Sequence, residues 1–94
     1  MKKGLFILEV TFDEFSFPYV KEDVKTCSIE EWASQWGYEF SIEENSIIFK
    51  GELVPGYEVD SYGNISIILT DKFNGRKDNW DLMVSFEEIT IKMV

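Results

Sequence analysis

The chain contains no histidine and a single cysteine, Cys27, among its 94 residues. An intramolecular disulfide is therefore excluded, and so are the common His/Cys zinc sites and nucleophilic Cys–His chemistry. A reducing compartment fits this composition. Basic residues are equally scarce, with 9 Lys plus Arg against 18 Asp plus Glu and a net charge of -9. Such a field repels phosphate backbones, so direct binding to nucleic acid is discounted. No run approaches the roughly 20 apolar residues needed to cross a bilayer. Met1, Lys2, Lys3 and Gly4 resemble the basic start of a leader, but the apolar run ends at Leu8, short of a signal core. The expectation is a soluble, cytoplasmic protein with no membrane association. Gly51, Gly56, Gly63 and Gly75 are spread over separate turns or strand ends, with no phosphate-cradling loop.

What is present is apolar bulk, at 45% hydrophobic and 16% aromatic residues, enough to build one packed core rather than a disordered chain. One domain spanning residues 1–94 is expected, with no linker or repeat. Phe6, Leu8, Val10 and Phe12 alternate on one strand face while Leu5 and Ile7 add bulk to the other. That pattern predicts an interior strand. The stretch 13–26 has no clear period and reads as a loop, in which Pro18 could open a short helical turn that puts Val20 and Val24 on one face. Its Phe15, Phe17 and Tyr19 are expected to plug the edge of the core.

A helix is predicted over 28–36. Ser28 and Glu31 have capping-box spacing, Cys27 and Trp32 occupy the staple positions, and Gly37 suits a left-handed C-terminal residue. Ile29, Trp32, Ala33 and Trp36 form its apolar stripe. A hairpin over 38–43 and 46–53 follows, where a turn centred on Glu44 and Asn45 sets Ile42 against Ile47 and Phe40 against Phe49. Pro55 and Gly56 read as a type II turn, and a three-residue loop, Tyr62, Gly63 and Asn64, would set Val59 opposite Ile67 and Tyr57 opposite Leu69.

The central ribbon pairs 65–69 with 80–84 around a two-residue Asn74-Gly75 turn, placing Leu69 opposite Trp80, Ile67 opposite Leu82 and Ile65 opposite Val84. The same register sets Asp71 against Asp78 and Lys72 against Lys77, so the tip is expected to fray. Near the C-terminus the apolar phase changes from even positions (Trp80, Leu82, Val84, Phe86) to odd ones (Ile89, Ile91, Met93) across Glu87 and Glu88. A β-bulge there would keep both sets on one face of a long bent strand. The expected fold class is α+β: an antiparallel, meander-like sheet of five or six strands with one helix packed on one face.

Carboxylates abound, yet their spacing supports no calcium loop and no acid/base pair, so catalysis and cofactors are not expected. Their distribution is more informative. From Glu22 to Asp60 the chain carries ten acids against Lys25 and Lys50. This segment suits a non-catalytic inhibitor that covers the basic, nucleic-acid-binding site of a partner protein, as an immunity protein does for a nuclease toxin or a phage anti-defence protein for a host nuclease. The contact residues would be Glu30, Glu43, Glu44, Glu58 and Asp60 on the acidic side, with Tyr38, Tyr57 and Tyr62 as aromatic anchors. The alternative is a structural or assembly module that pairs through an exposed sheet edge, suggested by the C-terminal run from Ile89 to Val94.

Overall fold

The computed structural model describes residues 4–94. The leader-like Met1, Lys2 and Lys3 lie outside the described residues. The class is α+β, but with two helices and two antiparallel sheets in place of one helix on one sheet. The elements run β1 (Phe6–Thr11), α1 (Phe17–Thr26), α2 (Ile29–Gln35), β2 (Tyr38–Glu43), β3 (Ser46–Gly51), β4 (Gly56–Val59), β5 (Asn64–Thr70), β6 (Lys77–Ser85) and β7 (Glu88–Met93). A four-stranded sheet has the order β2-β3-β1-β7, and a three-stranded sheet the order β4-β5-β6. One apolar cluster joins them, with Leu8, Val10, Ile47 and Phe49 from the first sheet meeting Ile65, Ile67, Leu69, Trp80 and Leu82 from the second.

Strand β1 is interior, as its two-sided apolar pattern requires, lying between β3 and β7. The β2–β3 hairpin has the expected register, Phe40 with Phe49 and Ile42 with Ile47, and Glu44 takes φ 52 in its turn. Where the sequence suggested a loop over 13–26, Phe17–Thr26 is a full helix. Pro18 stands in its first turn, where a missing N–H costs nothing. The Asp13 carboxylate accepts the N–H groups of Phe15 and Ser16 at 2.9 and 2.7 Å and organises the preceding turn. Phe17 and Val20 are buried, whereas Phe15 and Tyr19 stand in solvent, so only one of the three aromatics plugs the core.

Helix α2 forms where expected, but its start is different. Ser28 adopts a left-handed conformation, φ 51 and ψ 52, and makes no side-chain cap, while Cys27 is exposed and takes no part in a staple. The reason is that α1 runs directly into α2: the Ser28 N–H donates back to the Lys25 carbonyl at 3.3 Å, and the chain needs a sharp reversal at this one residue. Gly37 closes the helix at φ 88, donating to the Ser34 carbonyl, as its position implied.

The register predicted for β4 with β5 is displaced by two residues, and so is that of β5 with β6 from Ser66 to Thr70, whereas beyond the irregularity Asn64 pairs with Ser85 as the predicted register requires. Tyr57 pairs with Ile67 and Val59 with Ile65, and in the ribbon Ile67 pairs with Trp80 while Leu69 pairs with Asp78. The β4–β5 loop keeps three residues but moves back by one, to 61–63, and the β5–β6 loop grows from two residues to four, 72–75. Asp60 accepts the N–H groups of Tyr62 and Asn64, and Asp71 accepts that of Phe73 at 2.9 Å and the Asn74 amide at 2.9 Å. Each Asp thus closes its own Asx-type turn in preference to the tight hairpin. Gly63 and Gly75 supply the positive φ, and Asn74 does not. Gly56 likewise opens β4 without a positive φ, so no type II turn forms there. The displaced ribbon register separates Asp71 from Asp78 and Lys72 from Lys77, and the expected fraying is replaced by a closed loop in which the Asp71 N–H bonds the Arg76 carbonyl at 2.7 Å. The Phe73 N–H, joined by the Asn74 amide and the Arg76 charge, holds the Asp71 carboxyl below its ordinary range.

The C-terminal phase change is also resolved differently. No single bent strand carries both apolar sets. The chain leaves the three-stranded sheet after Ser85 and enters the four-stranded sheet at Glu88, so Phe86 and Glu87 are the crossing. An irregularity does occur in β6, between the Ser66–Asp81 and Asn64–Ser85 pairs, where Met83 has φ 61 and points into solvent.

Three stability outcomes follow from this packing and from the backbone at Ser28. Trp80→Ala should cost about 3–5 kcal/mol in urea denaturation, because the indole is buried between the sheets; a loss below about 1 kcal/mol would put it outside the core. Ser28→Gly should gain about 0.5 kcal/mol, since relief of left-handed strain exceeds the added backbone entropy of glycine. Ser28→Ala should stay within about 0.5 kcal/mol of the parent, whereas a loss of a full cap, about 1 kcal/mol, would show that the hydroxyl does cap α2.

Candidate functional site

The predicted contact residues fall on separate parts of the fold. Glu43 and Glu44 project from the β2–β3 turn, Glu30 from the first turn of α2, and Tyr57, Glu58, Asp60 and Tyr62 from β4 and the loop after it. All seven are exposed. Tyr38 is a correction. It is 5% exposed, its ring lies flat over Gly51 where no Cβ stands in the way, and its hydroxyl meets both the N–H and the carbonyl of Thr70 at 3.3 Å. Burial pushes its phenol up, opposed by the Thr70 N–H. It ties β2 to β5 and is unavailable as a surface anchor.

On the first sheet the acidic group is extended by strand alternation. Residues facing away from the core form cross-strand rows, Glu43–Ser46–Thr11–Glu88 and Ser41–Ile48–Glu9–Thr90, and a third, Glu39–Lys50–Ile7–Lys92. Carboxylates therefore gather toward the β2–β3 turn and the two lysines toward the opposite end. Glu9, Glu43 and Glu44 line one shallow concavity with Ser46, whose hydroxyl is 2.8 Å from that of Thr11. Glu9 was missed as a site residue. Its signal was legible, an acid at the polar phase of an otherwise apolar strand. Among the described residues the one salt bridge is Lys72 to Glu52 at 3.3 Å, so Glu9, Glu43 and Glu44 have no ion-pair partner there.

A second group of acids is engaged in holding the fold. Asp23, on α1, accepts the Trp80 indole N–H at 2.5 Å; Asp78, on β6, accepts that of Trp32 at 2.9 Å. The two bonds clip α1 and α2 to β6. Asp81 takes the Ser66 hydroxyl at 2.5 Å and the Asn79 amide at 2.9 Å. These carboxylates, with Cys27, surround a small depression beside the two indoles. Each of these carboxylates accepts hydrogen bonds from neutral donors, and among the described residues no group of three or more His, Cys, Asp or Glu is placed to hold a metal ion.

Further aromatic surface lies outside the predicted contact residues. Phe73 is 83% exposed at the tip of the β5–β6 loop, with the Lys72 ammonium 5.3 Å from its ring centre, and Phe15 and Tyr19 flank the start of α1. A phenylalanine placed among Asp, Lys, Asn and Gly turn residues was the available clue. No helix among the described residues is long and apolar enough to cross a membrane. Comparison of the chain with protein-family models, with curated proteins and with solved structures finds no match.

Cys27 offers a chemical readout of the indole clip. Partial desolvation, then the Asp23 charge and the 3.6 Å contact with its Oδ1, raise the thiol above its ordinary range. Alkylation by iodoacetamide should accordingly reach half-maximal rate at higher pH than for a free cysteine peptide, and Asp23→Asn should shift the profile downward. An unshifted profile in the parent chain would show that Asp23 and Cys27 are not in contact.

Proposed function

We propose that this protein is a non-catalytic, acidic inhibitor that occupies the basic, nucleic-acid-binding site of a partner protein, in the manner of an immunity protein for a nuclease toxin or a phage anti-defence protein. The observation that carries this reading is the carboxylate group at the β2–β3 turn: Glu9, Glu43 and Glu44 share one concavity and form no salt bridge among the described residues, and Lys50 and Lys92 stand along the same sheet face on the side away from the turn. A basic surface laid over these carboxylates meets them with opposite charge, which steers encounter and fixes orientation. The rigid β2–β3 hairpin holds them in fixed geometry, which lowers the ordering cost of binding. In this reading Tyr57 and Tyr62, with Glu58 and Asp60, form a second contact area on β4 and the loop after it, and Glu30 a third on α2.

An assembly role is the second reading, favoured by the open edge of β7, where Ile91 and Met93 are exposed.

The inhibitor reading is tested by kinetics against a partner captured from the source cell. Association should slow at least tenfold between low and physiological salt, with dissociation little changed, because rim charges act on encounter. Glu43→Lys with Glu44→Lys should slow association similarly while leaving the thermal unfolding curve in place. An association rate indifferent to salt and to these reversals would eliminate the electrostatic inhibitor.

A further inference from the structure

The two edges of the four-stranded sheet are coded in opposite ways. Leu5 and Val94 exchange N–H···O bonds in both directions, at 3.5 and 2.8 Å. In an antiparallel ladder such pairs alternate with non-hydrogen-bonded ones. Following the β1–β7 register, Ile7–Lys92, Glu9–Thr90 and Thr11–Glu88 are then the hydrogen-bonded pairs. Ile89, Ile91 and Met93 consequently aim their N–H and C=O groups away from β1, and no strand among the described residues receives them. An edge of this kind is a template for another strand.

We propose that a second copy of this chain fills that edge, β7 pairing antiparallel with β7 about a two-fold axis at Thr90. In this register Ile89 of one copy lies opposite Ile91 of the other, and both pairs use the N–H and C=O groups left open. Glu88 lies opposite Lys92 of the second copy, and Lys92 opposite its Glu88. These charged pairs fall at non-hydrogen-bonded positions, where side chains approach most closely. The same contact covers Ile91, which is 42% exposed in the single chain. Centring the axis on Ile91 would satisfy the backbone equally but set Glu88 against Val94, so charge selects Thr90.

The opposite edge repels itself. Pairing β2 with a second β2 about Ser41 would place Glu39 against Glu43 twice, like charges at the closest cross-strand positions. Self-association through β7 builds an eight-stranded sheet across two copies and leaves the β2–β3 turn at its far ends, so it is independent of the inhibitor reading.

Sedimentation equilibrium of the full chain at roughly 150 mM salt, where the Debye length of about 8 Å screens the net negative charge, is the test. A concentration-dependent dimer is expected. Glu88→Lys alone and Lys92→Glu alone should each weaken it about tenfold or more, by replacing two attractive pairs with two repulsive ones. The double variant Glu88→Lys, Lys92→Glu should restore dimerisation to within about threefold of the parent, since the pairs are re-formed with signs exchanged. Circular dichroism checks that each variant folds. In a Cys27→Ser background, Thr90→Cys should oxidise to a covalent dimer, its Cα separation falling in the disulfide range, whereas Ile91→Cys should not. A chain that stays monomeric at about 200 μM, far above the roughly micromolar Kd of a weak specific complex, would overturn the proposal. So would a dimer indifferent to both charge reversals, or one that cross-links through position 91 and not 90.

Discussion

The structure depends on the burial of one ring. Phe49, at the centre of β3 and wholly excluded from solvent, contacts Trp32 of α2, Phe40 of β2 and Trp80 of β6, with ring centroids 6.2, 5.0 and 6.4 Å away. The Trp32 and Trp80 contacts are edge-on, the arrangement that the charge distribution of aromatic rings favours. A helix, both neighbouring strands' apolar faces and the second sheet thus converge on a single side chain. The flanking indoles are large enough to reach the protein surface, and there their N–H groups are satisfied by Asp78 and Asp23. Apolar packing and hydrogen bonding are joined in the same residues, so neither helix can leave β6 without exposing an indole and releasing its bond.

Two further links make the sheets one body. Tyr38 spans from β2 to Thr70 of β5, and the chain itself passes from β6 to β7 through Phe86 and Glu87. The first accounts for the burial of a tyrosine whose polar group has a partner at hand. The second explains why the apolar phase reverses at the C-terminus. When a strand changes sheets, the side that faces the shared core changes with it, so the inward set moves from even to odd positions.

The acidic character is divided between structural and unpaired groups. Asp13, Asp60 and Asp71 close turns, and Asp23, Asp78 and Asp81 receive side-chain donors. Aspartate does most of this work because its short side chain reaches neighbouring backbone with little loss of freedom. Glutamates dominate the solvent rows of the first sheet and its β2–β3 turn. The net charge is therefore no uniform property of the surface. What is free to meet a partner is the glutamate group, and it lies on regular strands that fix its geometry.

The sequence by itself determined the class, the helix over α2, the interior position of β1, the β2–β3 register and the inward face of β1, β2, β3, β5 and β6, whereas Tyr57 and Val59 of β4 are left exposed. Period-two alternation is a local property of an extended chain, and it survives whatever the strand packs against. For the same reason it could not distinguish registers two residues apart, since Ile67 meets an inward residue whether it faces Leu82 or Trp80; only the loops closed by Asp60 and Asp71 made that choice. The helix α1 was obscured because its stability comes from Phe17 and Val20 packing on the core rather than from a long apolar stripe. Glu43 and Glu44 were legible as exposed acids from their turn, and Tyr38, two residues before Phe40, already shares the inward phase of β2, a signal that its choice as a surface anchor overrode. The tertiary structure added the partners of that burial, setting Tyr38 over Gly51 with Thr70 in reach, and left Tyr57 and Tyr62 at the margin. The division into two sheets and the open edge of β7 were likewise decided there, because which strands become neighbours depends on how the whole core closes and not on any one strand's pattern.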